Sequence, residues 1–164
     1  MFKTLLTITV FLFAGSSVAS APLATRVLVV KSEHKLYVFA GETIMASYPV
    51  ALGVNPKGHK QQQGDRRTPE GKYVLDWKNP KSAYYRSIHI SYPSADDRAQ
   101  AKAKGVAPGG DIMIHGQPND VKLRLFVQAS PFLDWTDGCI ALSDSDMKSL
   151  WEMVQVPTPI EIRP

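Results

Sequence analysis

Short strand-like runs separated by turn residues constrain the fold of this chain more than any other feature of its sequence. The runs Arg26–Val30 and Lys35–Phe39 precede a turn at Ala40–Glu42, and a third run covers Thr43–Val50. Such runs are typical of consecutive antiparallel hairpins. Further strands are predicted over residues 72–77, 87–92, 111–116, 139–142 and 159–162. Because strands and helices do not alternate, a doubly wound α/β fold is disfavoured and a mainly β domain is predicted.

Three segments between these strands have helical character. Ser94 is a candidate N-cap for a short polar helix that ends near Gly105, and residues 121–128 could form a second helix. The clearest helix covers 143–154, where Ser143 and Asp146 resemble a capping box with Asp in place of Glu. Its apolar residues recur at the spacing of one helix face: Met147, Leu150, Trp151 and Val154. We therefore expect two or three short helices, and we assign this stripe to the core.

A long polar segment, Gly53–Gly71, separates the third and fourth predicted strands. It contains Asn-Pro and Thr-Pro-Glu-Gly, which favour turns. The segment is therefore predicted to be a loop with little core of its own. Loops of this length are usually functional or mobile. We expect this one to border a cleft, with Tyr84, Tyr85 and Trp135 as possible walls or core residues.

The first 21 residues, MFKTLLTITVFLFAGSSVASA, have the features of a secretory signal. Lys3 supplies a positive charge, an apolar run extends from Leu5 to Ala14, and small residues precede Ala21. The apolar run is too short for a membrane span, which needs roughly 20 residues, and an uncleaved N-terminal anchor is the alternative. We predict a signal peptide over residues 1–20, and an exported domain over residues 21–164 in the periplasm or cell envelope.

Composition narrows the class of protein. Hydrophobic residues make up 44% of the chain and charged residues 21%, proportions that are typical of a globular domain. The formal net charge of +4 at pH 7 suits an anionic or wall-like partner only weakly. The sequence shows no basic motif interleaved with aromatic residues, so nucleic acid is not an expected partner.

Cys139 is the one cysteine of the chain. An exported protein usually pairs its cysteines, so a single thiol indicates an intermolecular disulfide or a free reactive group. A buried, inert cysteine is the alternative. Gly138 precedes it, and glycine allows a tight turn with close backbone approach. In such a turn the amides of Gly138 and Cys139 could point into one site and stabilise an oxyanion.

A cysteine nucleophile needs a base, because the thiolate attacks and the thiol does not. His115 ends an apolar strand and precedes a glycine, which would hold its side chain at the rim of a site. It is the preferred candidate, and His89 is the second. A structural zinc site needs four ligands, often closely spaced, whereas this sequence has one thiol and no close pair of histidines. A metal is therefore disfavoured.

Three motifs give the sequence a family resemblance. Ile112-Met-Ile-His-Gly116 is followed about two dozen residues later by Thr136-Asp-Gly-Cys-Ile-Ala-Leu142 and an acidic-capped helix, and Arg67-Thr-Pro-Glu-Gly-Lys-Tyr73 lies upstream. This order resembles the L,D-transpeptidase catalytic domain family (the YkuD domain). The resemblance implies antiparallel sandwich-like or barrel-like sheets, a Cys139 nucleophile, a His115 base, and peptidoglycan stem peptides as substrate. It also implies catalysis without a metal or cofactor.

The sequence departs from the common family motif S-H-G-C-[IV]-R-L at two positions. Asp137 replaces the second histidine and Ala141 replaces the arginine. Without that planar, charged donor, contacts to substrate carboxylates are expected from other cations, and the candidates are Arg66, Arg67 and Arg98. Thr136 is expected to order the turn or to bond within the site. The segment Gln63–Gly71, the Asp97-Arg98-Ala99 element and the G-C-x-A variant are together similar to the YafK-like branch of the family. That resemblance implies hydrolysis as well as, or instead of, cross-linking, and a wall-linked lipoprotein as a possible partner.

The predicted function is therefore a peptidoglycan L,D-transpeptidase. Its thiolate would form a thioester at the L,D bond after meso-diaminopimelate and would pass the acyl group to an amine. A hydrolase that removes a lipoprotein or a D-residue is the first alternative, and an inert wall-binding module is the second. We expect a monomer.

Overall fold

A computed structural model describes residues 22–130 and 133–164 of the chain. The signal peptide expected over residues 1–20 lies outside the described residues. Within those ranges, each helix is too short or too polar to cross a membrane.

Eight strands form a single sheet in the order β3-β2-β1-β8-β4-β5-β6-β7. The strands are β1 (Arg26–Val30), β2 (Lys35–Ala40), β3 (Thr43–Pro49), β4 (Gly71–Asn79), β5 (Ser87–Ile90), β6 (Met113–His115), β7 (Ile140–Ala141) and β8 (Thr158–Arg163). Five of the seven neighbouring pairs are antiparallel, and β1–β8 and β6–β7 are parallel. The prediction of a mainly β, mainly antiparallel domain is confirmed.

Two strands are shorter than predicted, and both lie beside the Cys139 motif. The segment predicted as 111–116 is a strand only over β6, because Asp111 adopts a left-handed conformation (φ 54°) that ends the ladder. The segment predicted as 139–142 is a strand only over β7, because Gly138 at φ 129° turns the chain just before it. The first break sets the Asp111 carbonyl beside the Cys139 sulfur.

Three helices pack around the sheet: α1 (Ala95–Ala103), α2 (Val121–Ala129) and α3 (Asp144–Met153). Ser94 caps α1 in a complete capping box with Asp97. Ser143 caps α3 by accepting the Asp146 N–H, which satisfies one of the unpaired amides of the first turn. All three predicted helices are present.

The core lies on one face of the sheet, between the strands and α3. Alternate residues of β1, β2 and β8 point inward, as expected for a period of two: Val27, Val29, Leu36, Val38, Ile160 and Ile162. Met147, Leu150 and Val154 of the α3 stripe are fully buried against them, and each such side chain contributes about 1.5–3 kcal/mol of burial free energy. The assignment of this stripe to the core is confirmed.

The segment after β3 curls the sheet toward a half-barrel. It leaves the β3 edge and reaches β7 at the opposite edge, where Ala51 and Ala141 exchange two N–H···O bonds of 2.9 and 2.8 Å. Gly53 then forms a bridge with Thr136. Both edges of the sheet are therefore tied together next to the turn that carries Cys139.

Candidate active site

Cys139 and His115 lie on the same face of neighbouring strands. In the parallel pairing of β6 with β7, His115 is opposite Ala141 and Ile114 is opposite Ile140. Cys139 directly precedes β7, and extending the register by one residue sets it beside Met113, whose N–H lies 3.4 Å from Sγ. Residues two apart in an extended chain share a face. Ile114 and Ile140 point into the core, so Cys139 and His115 project from the other face. Their spacing is that of diagonal neighbours, about 8 Å between Cα atoms.

Two hydrogen bonds hold the sulfur of the half-buried Cys139. The Met113 N–H donates to Sγ at 3.4 Å, and Sγ donates to the Asp111 carbonyl at 3.7 Å. Burial raises the pKa of the thiol, and the Met113 bond opposes this rise. The free protein therefore presents a thiol rather than a thiolate, so deprotonation has to accompany attack.

His115 is a buried imidazole whose orientation is fixed by the next residue. Its Nδ1–H donates to the Gly116 carbonyl at 2.7 Å, an assignment that follows because a carbonyl can only accept. The Nε2 lone pair is then available as the base. The ring centroids of Tyr84 and Trp135 lie 4.6 and 5.6 Å from the imidazole. Burial lowers the pKa of His115 to about 4, so the ring is neutral at pH 7.

His89, the second candidate base, lies farther from the sulfur. It is opposite Met113, so a whole strand separates it from Cys139, and its Nδ1 is 2.6 Å from Asp76 Oδ1. Its ring stacks on Trp77 at 5.1 Å. The structure therefore brings His115, and not His89, next to the cysteine strand.

The turn before Cys139 is closed by one hydroxyl. Thr136 Oγ1 donates to the Cys139 carbonyl at 2.7 Å and accepts the Gly138 N–H at 3.1 Å. A Cβ on Gly138 would lie 2.6 Å from the Arg67 carbonyl oxygen, so only glycine fits. The hydroxyl of Thr136 and the amide of Gly138 are both used inside the turn, which leaves the Cys139 amide as the remaining candidate donor to an oxyanion.

The Gly53–Gly71 loop is held by buried polar groups, unlike the weakly anchored loop that its composition suggests. Lys31 is buried and donates to the carbonyls of Gly58 and Thr68 and to Glu70 Oε1. Thr68, which is fully buried, accepts the Gly53 N–H at 3.0 Å. Buried groups of this kind need such partners, and these bonds place the loop backbone against the Gly138 turn.

The three predicted cationic contacts lie at different places. Arg66, in the left-handed region at φ 56°, is 60% exposed and 3.4 Å from Asp137 Oδ1. Asp137 is itself 88% exposed, so it does not orient His115. Arg67 places its carbonyl against Gly138, while its Nε is buried with no partner among the described residues. Arg98 is exposed on α1, where its guanidinium donates to the Pro93 carbonyl. Arg66 and Arg67 therefore lie in the part of the loop that packs on the Gly138 turn, whereas Arg98 lies on α1.

Sequence reasoning missed Lys60 and Asp111 as part of this region. Both line a polar cavity of about 430 Å³, and Asp111 is in direct contact with the sulfur. A left-handed conformation at a non-glycine residue costs free energy and often marks a functional site. Two such residues, Arg66 and Asp111, lie close to the turn, although the sequence carries no signal for them. Within 22–130 and 133–164, no three His, Cys, Asp or Glu side chains are grouped as metal ligands would be.

Comparisons with known proteins agree with this architecture. The L,D-transpeptidase catalytic domain family (YkuD) matches residues 24–162. YafK of Escherichia coli (strain K12), provisionally named as an L,D-transpeptidase, is 34% identical over 123 residues, which cover 73% of this chain and 42% of the relative. The chain therefore spans less than half the length of the curated relative.

Two solved structures share the fold. Pgp2 from Campylobacter jejuni, described as a helical cell shape determining protein, superposes with a TM-score of 0.61 at 26% identity, covering 85% of this chain and 47% of that one. Bd1075 from Bdellovibrio bacteriovorus gives a TM-score of 0.56 at 28% identity, covering 89% and 50%. With a family match over nearly all the described residues, and an eight-stranded sheet that carries the cysteine and histidine motifs, this chain belongs to the L,D-transpeptidase (YkuD) catalytic domain family.

Proposed function

We propose that the protein is a peptidoglycan L,D-transpeptidase in which Cys139 is the nucleophile and His115 the base. The observation that carries the proposal is the placement of a thiol and a neutral, oriented imidazole on one face of β6 and β7. The substrate is a stem peptide, attacked at the L,D bond after meso-diaminopimelate. Family membership supports stem peptides as the substrate class.

The first half-reaction transfers one proton and forms one bond. Sγ attacks the carbonyl carbon while its proton moves to His115 Nε2. The Gly116 carbonyl accepts the Nδ1–H bond and stabilises the imidazolium that forms. The Cys139 amide is the donor proposed for the oxyanion. Collapse of the adduct breaks the C–N bond, and the imidazolium returns its proton to the leaving amine, which gives a thioester and a neutral His115.

A second molecule then removes the acyl group. His115 takes a proton from the incoming nucleophile, which attacks the thioester and releases the Cys139 thiol. An amine acceptor gives a cross-linked peptide, and water gives a hydrolysed one. Because the thiol is protonated in the free protein, proton transfer and attack are coupled, and a slow reaction with simple alkylating agents does not count against catalysis.

Hydrolysis is the second candidate function, and two observations favour it. Cys139 is only half-buried, so water can reach the thioester. Ala141 also stands where the common family motif has an arginine, so that cation is missing beside the nucleophile. The similarity to YafK fits a YafK-like hydrolase that acts on a D-residue or on a wall-linked lipoprotein. Either activity needs the protein in the cell envelope, in agreement with the signal peptide expected over residues 1–20.

Mass spectrometry of muropeptides separates these functions. Mature protein is incubated with purified tetrapeptide and tripeptide muropeptides, with Cys139→Ser and His115→Asn as matched controls. Dimers joined between two diaminopimelates, or exchange of D-amino acids, would establish a transpeptidase. Tripeptide and free D-alanine without dimers would establish a hydrolase.

A lipoprotein-linked muropeptide is the next substrate if those peptides are unchanged. Its cleavage by the wild type but not by Cys139→Ser would identify the YafK-like activity. If the wild type also leaves it intact, and no acyl adduct on Cys139 is detected, the catalytic proposal fails and the wall-binding module is left.

A further inference from the structure

Lys60 is a buried cation that faces a polar cavity near the nucleophile. The residue is 3% exposed, and the cavity of about 430 Å³ is lined by Lys60, Gln63 and residues 107–111. An ammonium group is costly to bury unless its donors and its charge are matched. If the protein groups around the Lys60 ammonium use fewer than its three donors, the remaining donor is available to a ligand.

Among the described residues, two groups accept from the Lys60 ammonium, which has three donors. Nζ lies 2.9 Å from Asp65 Oδ1 and 3.2 Å from the Gln62 carbonyl. The Asp65 carboxylate also accepts the N–H groups of Gln61, Gln62 and Arg67. Asp65 is thus shared between the ammonium and three backbone donors, and it holds Lys60 in place while one donor of the ammonium is left for a further acceptor.

The wall opposite the ammonium is formed by backbone. A Cβ on Gly109 would lie 3.5 Å from Lys60 Cε and 3.3 Å from Gln63 Cα. Gly109 and Gly110 carry no side chains, so the cavity of about 430 Å³ is bounded here by backbone alone. Among the residues that line the cavity, Lys60 is the one cation and Asp111 the one carboxylate, so an anionic ligand would bind at the Lys60 end.

Two chains of contacts connect the cavity to the cysteine motif. In the first, Asp111 lines the cavity, and the Asp111 carbonyl is 3.7 Å from Sγ. In the second, Asp65 links Lys60 to the Arg67 N–H, and the Arg67 carbonyl packs on Gly138. The charge of Lys60 also acts to lower the pKa of Cys139 against the larger effect of burial, so its field reaches the thiol.

We infer that Lys60 and this cavity form the subsite for a substrate carboxylate next to the attacked bond. The inference rests on the proposed function. Ala141 is buried opposite His115 and supplies no cation, while Arg66 is largely exposed. A stem tetrapeptide offers two carboxylates near the bond: that of the leaving D-residue, and that on the D-centre of meso-diaminopimelate. Either can take the remaining donor of Lys60 in a charge-assisted hydrogen bond.

The experiment is a double-mutant cycle in which a change in the enzyme is combined with a change in the substrate. Release of the D-residue is measured for the tetrapeptide and for two analogues, one amidated at the terminal D-residue and one at the D-centre of meso-diaminopimelate. For the wild type, kcat/KM should fall about 10- to 100-fold on one analogue, the range for a hydrogen bond to a charged group. Lys60→Gln should lose as much on the parent peptide and nothing further on that analogue. The sensitive analogue identifies which carboxylate is bound.

Matched variants separate recognition from folding. Lys60→Arg should restore part of the discrimination. Lys31→Gln removes another buried lysine, which follows β1 and donates to the same loop, and it should lower stability while keeping the wild-type ratio between the peptides. If Lys60→Gln does not fold, the double variant Lys60→Gln/Asp65→Asn removes both charges and keeps an acceptor for the backbone amides.

The outcomes distinguish this inference from the function on which it rests. If the Lys60 variants discriminate the amidated analogues as strongly as the wild type, or if the wild type is indifferent to both amidations, the subsite is refuted while the enzyme assignment stands. If the wild type cleaves none of the three peptides, the proposed action on tetrapeptides fails and the subsite, which is defined on those peptides, fails with it, while the YafK-like activity is decided separately on the lipoprotein-linked muropeptide.

Discussion

Burial of His115 predicts that the fold is sensitive to acid. Burial lowers the pKa of the imidazole to about 4, from the 6.5 of an exposed ring. The unfolded state therefore binds a proton more readily than the folded state. The stability that comes from a neutral His115 is fully present above pH 6.5, is lost as the pH falls, and changes no further below pH 4. A gap of roughly 2.5 pH units corresponds to about 3 kcal/mol in the free energy of unfolding.

Urea unfolding at pH values between 7.5 and 4 tests this magnitude. His115→Asn keeps a side-chain N–H for the Gly116 carbonyl but cannot take up a proton. The wild type is expected to lose about 3 kcal/mol relative to the variant over this range, because contributions from other titrating groups are shared by both proteins. The acid limb of kcat/KM should likewise lie near pH 4. A difference between the two proteins that stays constant with pH, together with an acid limb near 6.5, would refute the reasoning.

Three further predictions concern the turn before Cys139 and the loop that packs on it. Gly138→Ala should lower the free energy of unfolding by about 2–4 kcal/mol, because the new Cβ would meet the Arg67 carbonyl. Gly64→Ala, at a positive φ with nothing within 4 Å, should lower it by only about 1 kcal/mol. Equal losses in urea unfolding would contradict the clash at Gly138. Thr136→Val should lower the free energy of unfolding by about 1–3 kcal/mol and slow acylation, because it leaves the Gly138 N–H unpaired. Thr136→Ser should behave like the wild type. Identical acylation rates for the two variants would show that the hydroxyl does not order the turn for catalysis. Asp65→Ala should lower the free energy of unfolding by about 3 kcal/mol, because it leaves the Lys60 ammonium buried without its anion. Limited proteolysis of this variant should show new cleavage between residues 61 and 67. A loop that stays resistant to protease would show that the position of Lys60 does not depend on Asp65.

The strands and helices were predictable because each carries a local signal. The alternation in β1, β2 and β8 and the apolar stripe of α3 depend on residues two to four positions apart, and burial in the structure follows those patterns. The motif around Cys139 was recognisable for a similar reason, since a glycine that the turn requires lies directly before the cysteine. The orientation of His115 by Gly116 also depends on adjacent residues.

The loop and the second side of the site were not predictable, because they depend on contacts between distant residues. Lys31 and Lys60 look like surface charges in the sequence, yet both are buried by partners in or near the Gly53–Gly71 loop. Asp65 is ordinary until its carboxylate is seen to hold three amides and one ammonium. The parallel pairing of β1 with β8 joins residues more than 130 positions apart, and no local pattern encodes it.

The position of β8 has a consequence for how the domain folds. This strand, the last in the chain, lies between β1 and β4 in the middle of the sheet. A nascent chain that ends at α3 holds two half-sheets, each with an unpaired inner edge, and pairings of such long sequence separation form slowly. The domain is therefore expected to complete its fold only after residues 158–163 have been synthesised. Until then the exposed edges of β1 and β4 are the surfaces most open to aggregation and to chaperones.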